Sequence, residues 1–104
     1  MEKPYEIEVH EKAHKEFLAL PGHVQARFER AVDRLATDPR GTRAPLDVRK
    51  VDSSSALYRL RVGAYRALYE VDDAGRIVLV VVFDARGRGY GRMLASAQAR
   101  LGKL

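Results

Sequence analysis

The sequence predicts an α+β fold in which a small antiparallel sheet packs on an N-terminal helical hairpin, in the order β-α-α-β-β-β with a short C-terminal helix. Three observations carry this expectation. The apolar period changes from two to that of a helix at Glu11, a Pro21-Gly22 break divides the helical stretch in two, and three strand-like runs separated by turn residues follow residue 55.

Tyr5, Ile7 and Val9 alternate with Glu6, Glu8 and His10, the pattern of a short strand with one buried face. Ala13, Phe17, Leu18 and Leu20 then share one helical face up to Pro21-Gly22, and Val24, Phe28, Ala31, Val32 and Leu35 form a second stripe. Two helices joined this tightly make an antiparallel hairpin. Asp38-Pro39 ends the second helix, because a residue before proline is pushed out of the helical region. Residues 40–55, rich in Gly, Pro, Ser and charge, read as a loop without a clear period. Strands follow at 56–62, 65–71 and 76–83, the first pair joined by Gly63-Ala64 and the second by Asp72-Asp73-Ala74-Gly75. Every residue from Ile77 to Phe83 is apolar, so this strand is expected at the centre with both faces covered. The helical hairpin serves one face, and the helix-forming segment 93–101 serves the other.

A chain of 104 residues suffices for one domain, residues 1–104, with a single core. Its formal charge of +5 favours an acidic partner such as nucleic acid. Cysteine is absent, which removes disulfides and thiolate zinc sites and suits a cytoplasmic protein. No apolar run reaches membrane-spanning length, and the first residues lack the apolar core of a signal peptide, so no membrane is expected as a partner.

The densest chemistry lies in the first strand pair. Arg59 and Arg61 alternate with Leu60 and Val62, so their side chains leave one face, and the return strand brings Arg66 beside them. Like charges gathered on one face are destabilising unless an anion offsets them, and only Glu70 lies close in sequence on that side. A phosphate backbone is the expected anion. Tyr58, Tyr65 and Tyr69 read as sheet-packing residues.

The phrase YRLRVGAYRALYEVDDAGRIVLVVVF at 58–83, the helix end LATDP, the order of elements, and Arg86 followed four residues later by Tyr90 together resemble the RelE/ParE superfamily of bacterial and archaeal toxins, in particular its RelE branch. The resemblance spans residues 5–92. It implies a toxin that enters the ribosomal decoding site and cleaves messenger RNA as a metal-independent endoribonuclease without a cofactor. It also implies that a cognate antitoxin holds the toxin inactive in a hetero-oligomer, and the chain's positive charge leads us to expect that antitoxin to be acidic. Position by position, Arg66 matches the arginine of the G-x-Y-R turn, Arg61 the arginine before that turn, Arg59 a basic position on the same strand, and Arg86 and Tyr90 the C-terminal motif. Where many relatives read His-Arg-x-x-Val-Tyr, this chain reads Ala85-Arg86-Gly87-Arg88-Gly89-Tyr90.

Arg61, Arg66, Arg86 and Tyr90 are thus the candidate catalytic residues, with Arg59, Arg88 and Arg92 as RNA-binding residues. Cleavage by the 2′-hydroxyl needs a proton acceptor, stabilisation of the phosphorane and a proton donor to the leaving oxygen. Arginine suits the second need, since its planar fork makes bidentate contacts with phosphate. His10, His14 and His23 all lie in the N-terminal half, away from the sheet face. That leaves Tyr90 for proton transfer, with a pKa expected to fall among the cations, or for stacking on a base. The segment from His10 to His14 matches the H-E-x-x-H zinc pattern, but that chemistry needs both histidines on one helix, whereas His10 closes a strand. The two other readings are a ParE-like inhibitor of DNA gyrase without nuclease activity, and a degenerate RelE-like protein that binds antitoxin or RNA and cleaves poorly.

Overall fold

The computed structural model describes residues 3–52, 56–84 and 90–102. Eight elements follow one another: β1 (Glu6–Val9), α1 (Glu11–Leu18), α2 (Gly22–Leu35), β2 (Asp47–Lys50), β3 (Leu57–Val62), β4 (Tyr65–Asp72), β5 (Ile77–Asp84) and α3 (Tyr90–Arg100). The strands form one mixed sheet in the order β1-β5-β4-β3-β2. The α+β fold, the helical hairpin, the three strands and the terminal helix are as the sequence predicts.

Two features of the sheet are not. β1 pairs parallel to β5, with Glu6 opposite Ile77 and Val9 opposite Val80, so the sheet is not purely antiparallel. Alternation reports which face of a strand is buried and carries no information on the direction of its partner. The stretch read as a loop contains β2, an edge strand antiparallel to β3. Val48 is its one apolar residue, packed on the core, and the charged Arg49 and Lys50 suit a strand with an open edge.

The hairpin α1–α2 packs on one face of the sheet, where Phe28 stands edge-on to Phe83 with ring centroids 5.0 Å apart. Tyr69 is fully buried there, donates its hydroxyl to the Pro39 carbonyl at 2.7 Å and stacks on Tyr58. Leu18, expected on the buried stripe, is 58% exposed, because α1 ends at that residue and the chain turns towards Pro21. Val9 at the end of the edge strand is also exposed. On the opposite face α3 lays Met93 and Ala97 against Leu57, Leu68, Val81 and Val82.

A bulge in β5 decides which of its side chains reach which face. Tyr69 stands opposite Val80 but Leu68 stands opposite Val82, so Val81 is an inserted residue. Val81 and Val82 both join the cluster under α3, while Phe83 goes to the hairpin side and Asp84 arrives opposite Arg66. Without the insertion Phe83 would stand opposite Arg66.

His10 is the N-cap of α1, its Nδ1 accepting from the Lys12 amide at 3.1 Å, so His10 and His14 do not ride one helix as a zinc site of that pattern requires. Among the described residues no helix is long and apolar enough to cross a membrane.

Candidate nucleic-acid interface

The β3–β4 hairpin closes through Gly63, whose φ of 59° is a conformation that favours glycine. That tight turn sets Arg61 opposite Arg66, and β2 sets Arg49 opposite Arg59. Leu60 and Val62 point into the hairpin core, so Arg59 and Arg61, which alternate with them, emerge on the other face. Helix α3 covers only the part of that face around Leu57 and Leu68. The remainder is an open cleft of about 580 Å³ lined by Arg49, Lys50, Val51, Arg59, Arg61, Ala64, Arg66 and Tyr90.

Arg59, Arg61, Arg66 and Tyr90 therefore come together as the sequence suggests. Arg86 and Arg88, with Ala85, lie outside the described residues. Arg92 does not join the cleft. It is exposed on α3 and lines a different cleft beside Glu16 and Asp84, because two residues on from Tyr90 is about 200° around the helix.

The charge balance differs from the sequence reading. Arg66 Nη2 lies 2.8 Å from Asp84 Oδ2, and Asp84 is only 5% exposed. Arg59 Nη2 lies 2.7 Å from Asp47 Oδ1. Two of the three guanidiniums thus have carboxylate partners, from β5 and β2, which the count of nearby acids in sequence missed. Arg61 is exposed and donates its Nε to the Gly63 carbonyl at 3.0 Å. Among the described residues none that lines the cleft is acidic, and none is a hydrogen-bond partner of the buried Nε of Arg59. A buried N–H without an acceptor is unfavourable and suits an acceptor brought by a ligand.

Tyr90 opens α3 with the Arg66 guanidinium 5.8 Å from its ring centroid, within cation–π range. Its pKa lies above the ordinary tyrosine value, not below it. Burial raises it and outweighs the lowering by Arg59 and Arg66, and Asp52 adds to the rise. The phenol is therefore protonated at neutral pH and is fitted to donate a proton or to stack, not to accept a proton.

Sequence reasoning missed Arg49, Lys50, Asp47 and Asp84. The first three sit on a strand with a single apolar residue, and Asp84 ends an unbroken apolar run whose bulge no alternation reveals.

The family described as ParE toxin of type II toxin-antitoxin system, parDE, matches residues 7–90. The toxin in the crystal structure of an archaeal RelE-RelB complex from Pyrococcus horikoshii is 30% identical, with 83% of this chain and 99% of that one covered and a TM-score of 0.71. A variant of Escherichia coli RelE in the free state is 22% identical over 94% of this chain and 98% of its own, with a TM-score of 0.74. A chain of the RelBE2 toxin-antitoxin complex from Mycobacterium tuberculosis is 23% identical over 80% and 99%, with a TM-score of 0.66. The last two speak for the fold alone. With the family match over most of its length and the archaeal RelE at 30% identity, the chain belongs to the RelE/ParE superfamily of type II toxin-antitoxin toxins, on its RelE branch.

Proposed function

We propose that this toxin is a metal-independent endoribonuclease that cleaves messenger RNA on the ribosome and so stops translation in the cytoplasm. The observation that carries the reading is the cleft in which Arg61 and Arg66 face a protonated Tyr90 with no carboxylate among its described lining residues. In this reading the 2′-hydroxyl oxygen attacks the adjacent phosphorus and its proton leaves to water, since among the described cleft residues there is no carboxylate or imidazole to take it. Arg61 and Arg66 stabilise the phosphorane, joined by Arg86 on the strength of the resemblance. The bond to the 5′-oxygen breaks as Tyr90 donates its proton to it, leaving a 2′,3′-cyclic phosphate and a 5′-hydroxyl. Arg59, Arg49 and Lys50 hold neighbouring phosphates, Arg92 is a further contact outside this cleft, and Arg88 is kept as an RNA contact from the sequence alone.

The partner of this toxin is an antitoxin, by analogy with the RelE-RelB complex it resembles, and an acidic one on account of the toxin's own positive charge. A formal charge of +5 on the toxin favours rapid association with such a protein.

The family description naming ParE favours a second reading, inhibition of DNA gyrase without cleavage. Cell-free translation of a reporter, with primer extension on its message and a parallel supercoiling assay, separates the two. New 5′ ends within the translated frame support the nuclease; blocked supercoiling with an intact message supports the inhibitor, and neither effect supports the degenerate toxin.

A further inference from the structure

Arg40 is ion-paired with Asp73, Arg59 with Asp47, Arg66 with Asp84 and Arg100 with Glu16. Arg27, Arg30 and Arg34 on α2 are not. All three are exposed, and no ion pair or hydrogen bond among the described residues engages their side chains. Their spacing of three and four residues puts them on one face of the helix over about 10 Å of its length. Like charges so placed weaken a helix, and the helix C-terminus compensates only the last of them, Arg34.

This stripe forms one wall of a second groove, about 490 Å³, whose other wall includes Arg61. Arg61 also lines the first cleft. The two grooves meet at the β3–β4 turn: Arg61 donates to the Gly63 carbonyl, and Arg27 lies against Gly63 from the other side, 3.2 Å from where a β-carbon on that residue would stand.

We propose that the Arg27, Arg30 and Arg34 stripe is a second RNA-backbone track, continuous with the cleft through Arg61, so that the toxin grips RNA phosphates on both sides of the β3–β4 turn. This rests on the reading of the first cleft as an RNA site. The groove suits a phosphate backbone better than a protein partner. Of its apolar lining among the described residues, Leu60 and Val62 are buried in the core and Leu46 is half-buried, so Pro45 and Ala31 are small anchors for a folded partner, whereas a backbone needs only spaced cations; the carboxylate in the lining, Asp47, is already held by Arg59. The RNA is either message leading away from the cleft or ribosomal RNA beside it; both offer the same phosphodiester chemistry.

The test compares the wild-type toxin, the triple variant R27Q/R30Q/R34Q and the single variant Arg61→Ala, each checked for fold by circular dichroism. Binding is measured to 2′-O-methyl oligonucleotides of 4 and 12 nucleotides over a salt series, and to purified ribosomes by sedimentation. The triple variant is expected to bind the 4-mer as wild type does. For the 12-mer the slope of log K against log salt should fall by about 2, since each phosphate contact on a single strand contributes about 0.7. A loss confined to the 12-mer assigns the track to message, and a loss confined to ribosomes assigns it to ribosomal RNA; either supports the proposal. Unchanged binding to both, with Arg61→Ala still weakening the 4-mer, overturns the track and leaves the cleft reading intact. If Arg61→Ala also leaves both unchanged, the cleft reading fails with it. Loss of binding to a poly-glutamate peptide with RNA binding retained would make the stripe a protein-docking surface and overturn the proposal.

Discussion

Arg66 and Asp84 face each other across β4 and β5 with 2.8 Å between Nη2 and Oδ2, and the bulge at Val81 is what puts the carboxylate there. Asp84 is the one buried charged side chain among the described residues. The pair orients the guanidinium towards the cleft and ties the fold to the site. Arg66→Ala therefore removes more than a cleft cation, because it strands a buried carboxylate, a change that destabilises by about 3 kcal/mol. The expected outcome is a lowered unfolding midpoint in denaturant together with lost toxicity. The double variant Arg66→Gln with Asp84→Asn should recover most of the stability and none of the toxicity. Recovery of toxicity with stability would remove Arg66 from the site.

Arg61 offers the cleaner test of cleft chemistry. It is exposed and its one hydrogen bond among the described residues is to the nearby Gly63 carbonyl, so Arg61→Ala should change stability by less than about 0.5 kcal/mol. Loss of one donor aimed at developing charge lowers rates by roughly a hundredfold or more. Single-turnover cleavage on programmed ribosomes is expected to show that loss with an unaltered melting curve.

How much of this was legible in the sequence depends on what each element asks of its residues. The helical hairpin announced itself through two apolar stripes and Pro21-Gly22, and the Gly63 turn through the alternation of Arg59 to Val62. Those features are local. The parallel pairing of β1, the edge strand β2 and the bulge at Val81 are properties of pairs of strands, and the pairing partner leaves no mark on a four-residue strand or on an unbroken apolar run. The site followed the same division. The cationic face was readable because strand alternation fixes it, whereas Asp47 and Asp84 were missed because their approach to Arg59 and Arg66 depends on β2 and on the bulge.

Beyond Val80, where β1 stops pairing, the edge of β5 is closed by side chains. Glu16 Oε1 accepts the Phe83 amide at 3.2 Å, Arg100 Nη1 donates to the Val81 carbonyl at 2.7 Å, and the two side chains are paired at 2.8 Å. This arrangement fastens the end of α3, and hence the helix that opens with Tyr90, to α1. Arg100→Ala should loosen α3 while sparing the hairpin core. Hydrogen exchange is expected to speed up at the amides of α3 well before those of β4, whose protection reports global unfolding.

Burial decides how Tyr90 responds to pH. A tyrosine buried beside cations is pulled both ways, and here burial prevails, so the phenol stays neutral through the physiological range. The acid form is the working form of a proton donor, so cleavage limited by Tyr90 stays flat on its account from pH 6 to about pH 9. The rate declines only as the pH rises through its raised pKa, above the ordinary value of about 10. The same shift means that folding stability from the neutral phenol is fully present below about pH 10 and is lost as pH rises through the folded-state pKa. Tyr90→Phe keeps the ring over Arg66 and removes the hydroxyl, and it should lower the single-turnover rate by roughly a hundredfold. Tyr90→Ala should in addition weaken binding of a 2′-O-methyl oligonucleotide, through loss of the stacking surface. An unchanged rate for Tyr90→Phe, with loss only in Tyr90→Ala, would assign the residue to stacking and leave Arg61 and Arg66 to carry the chemistry of the described cleft.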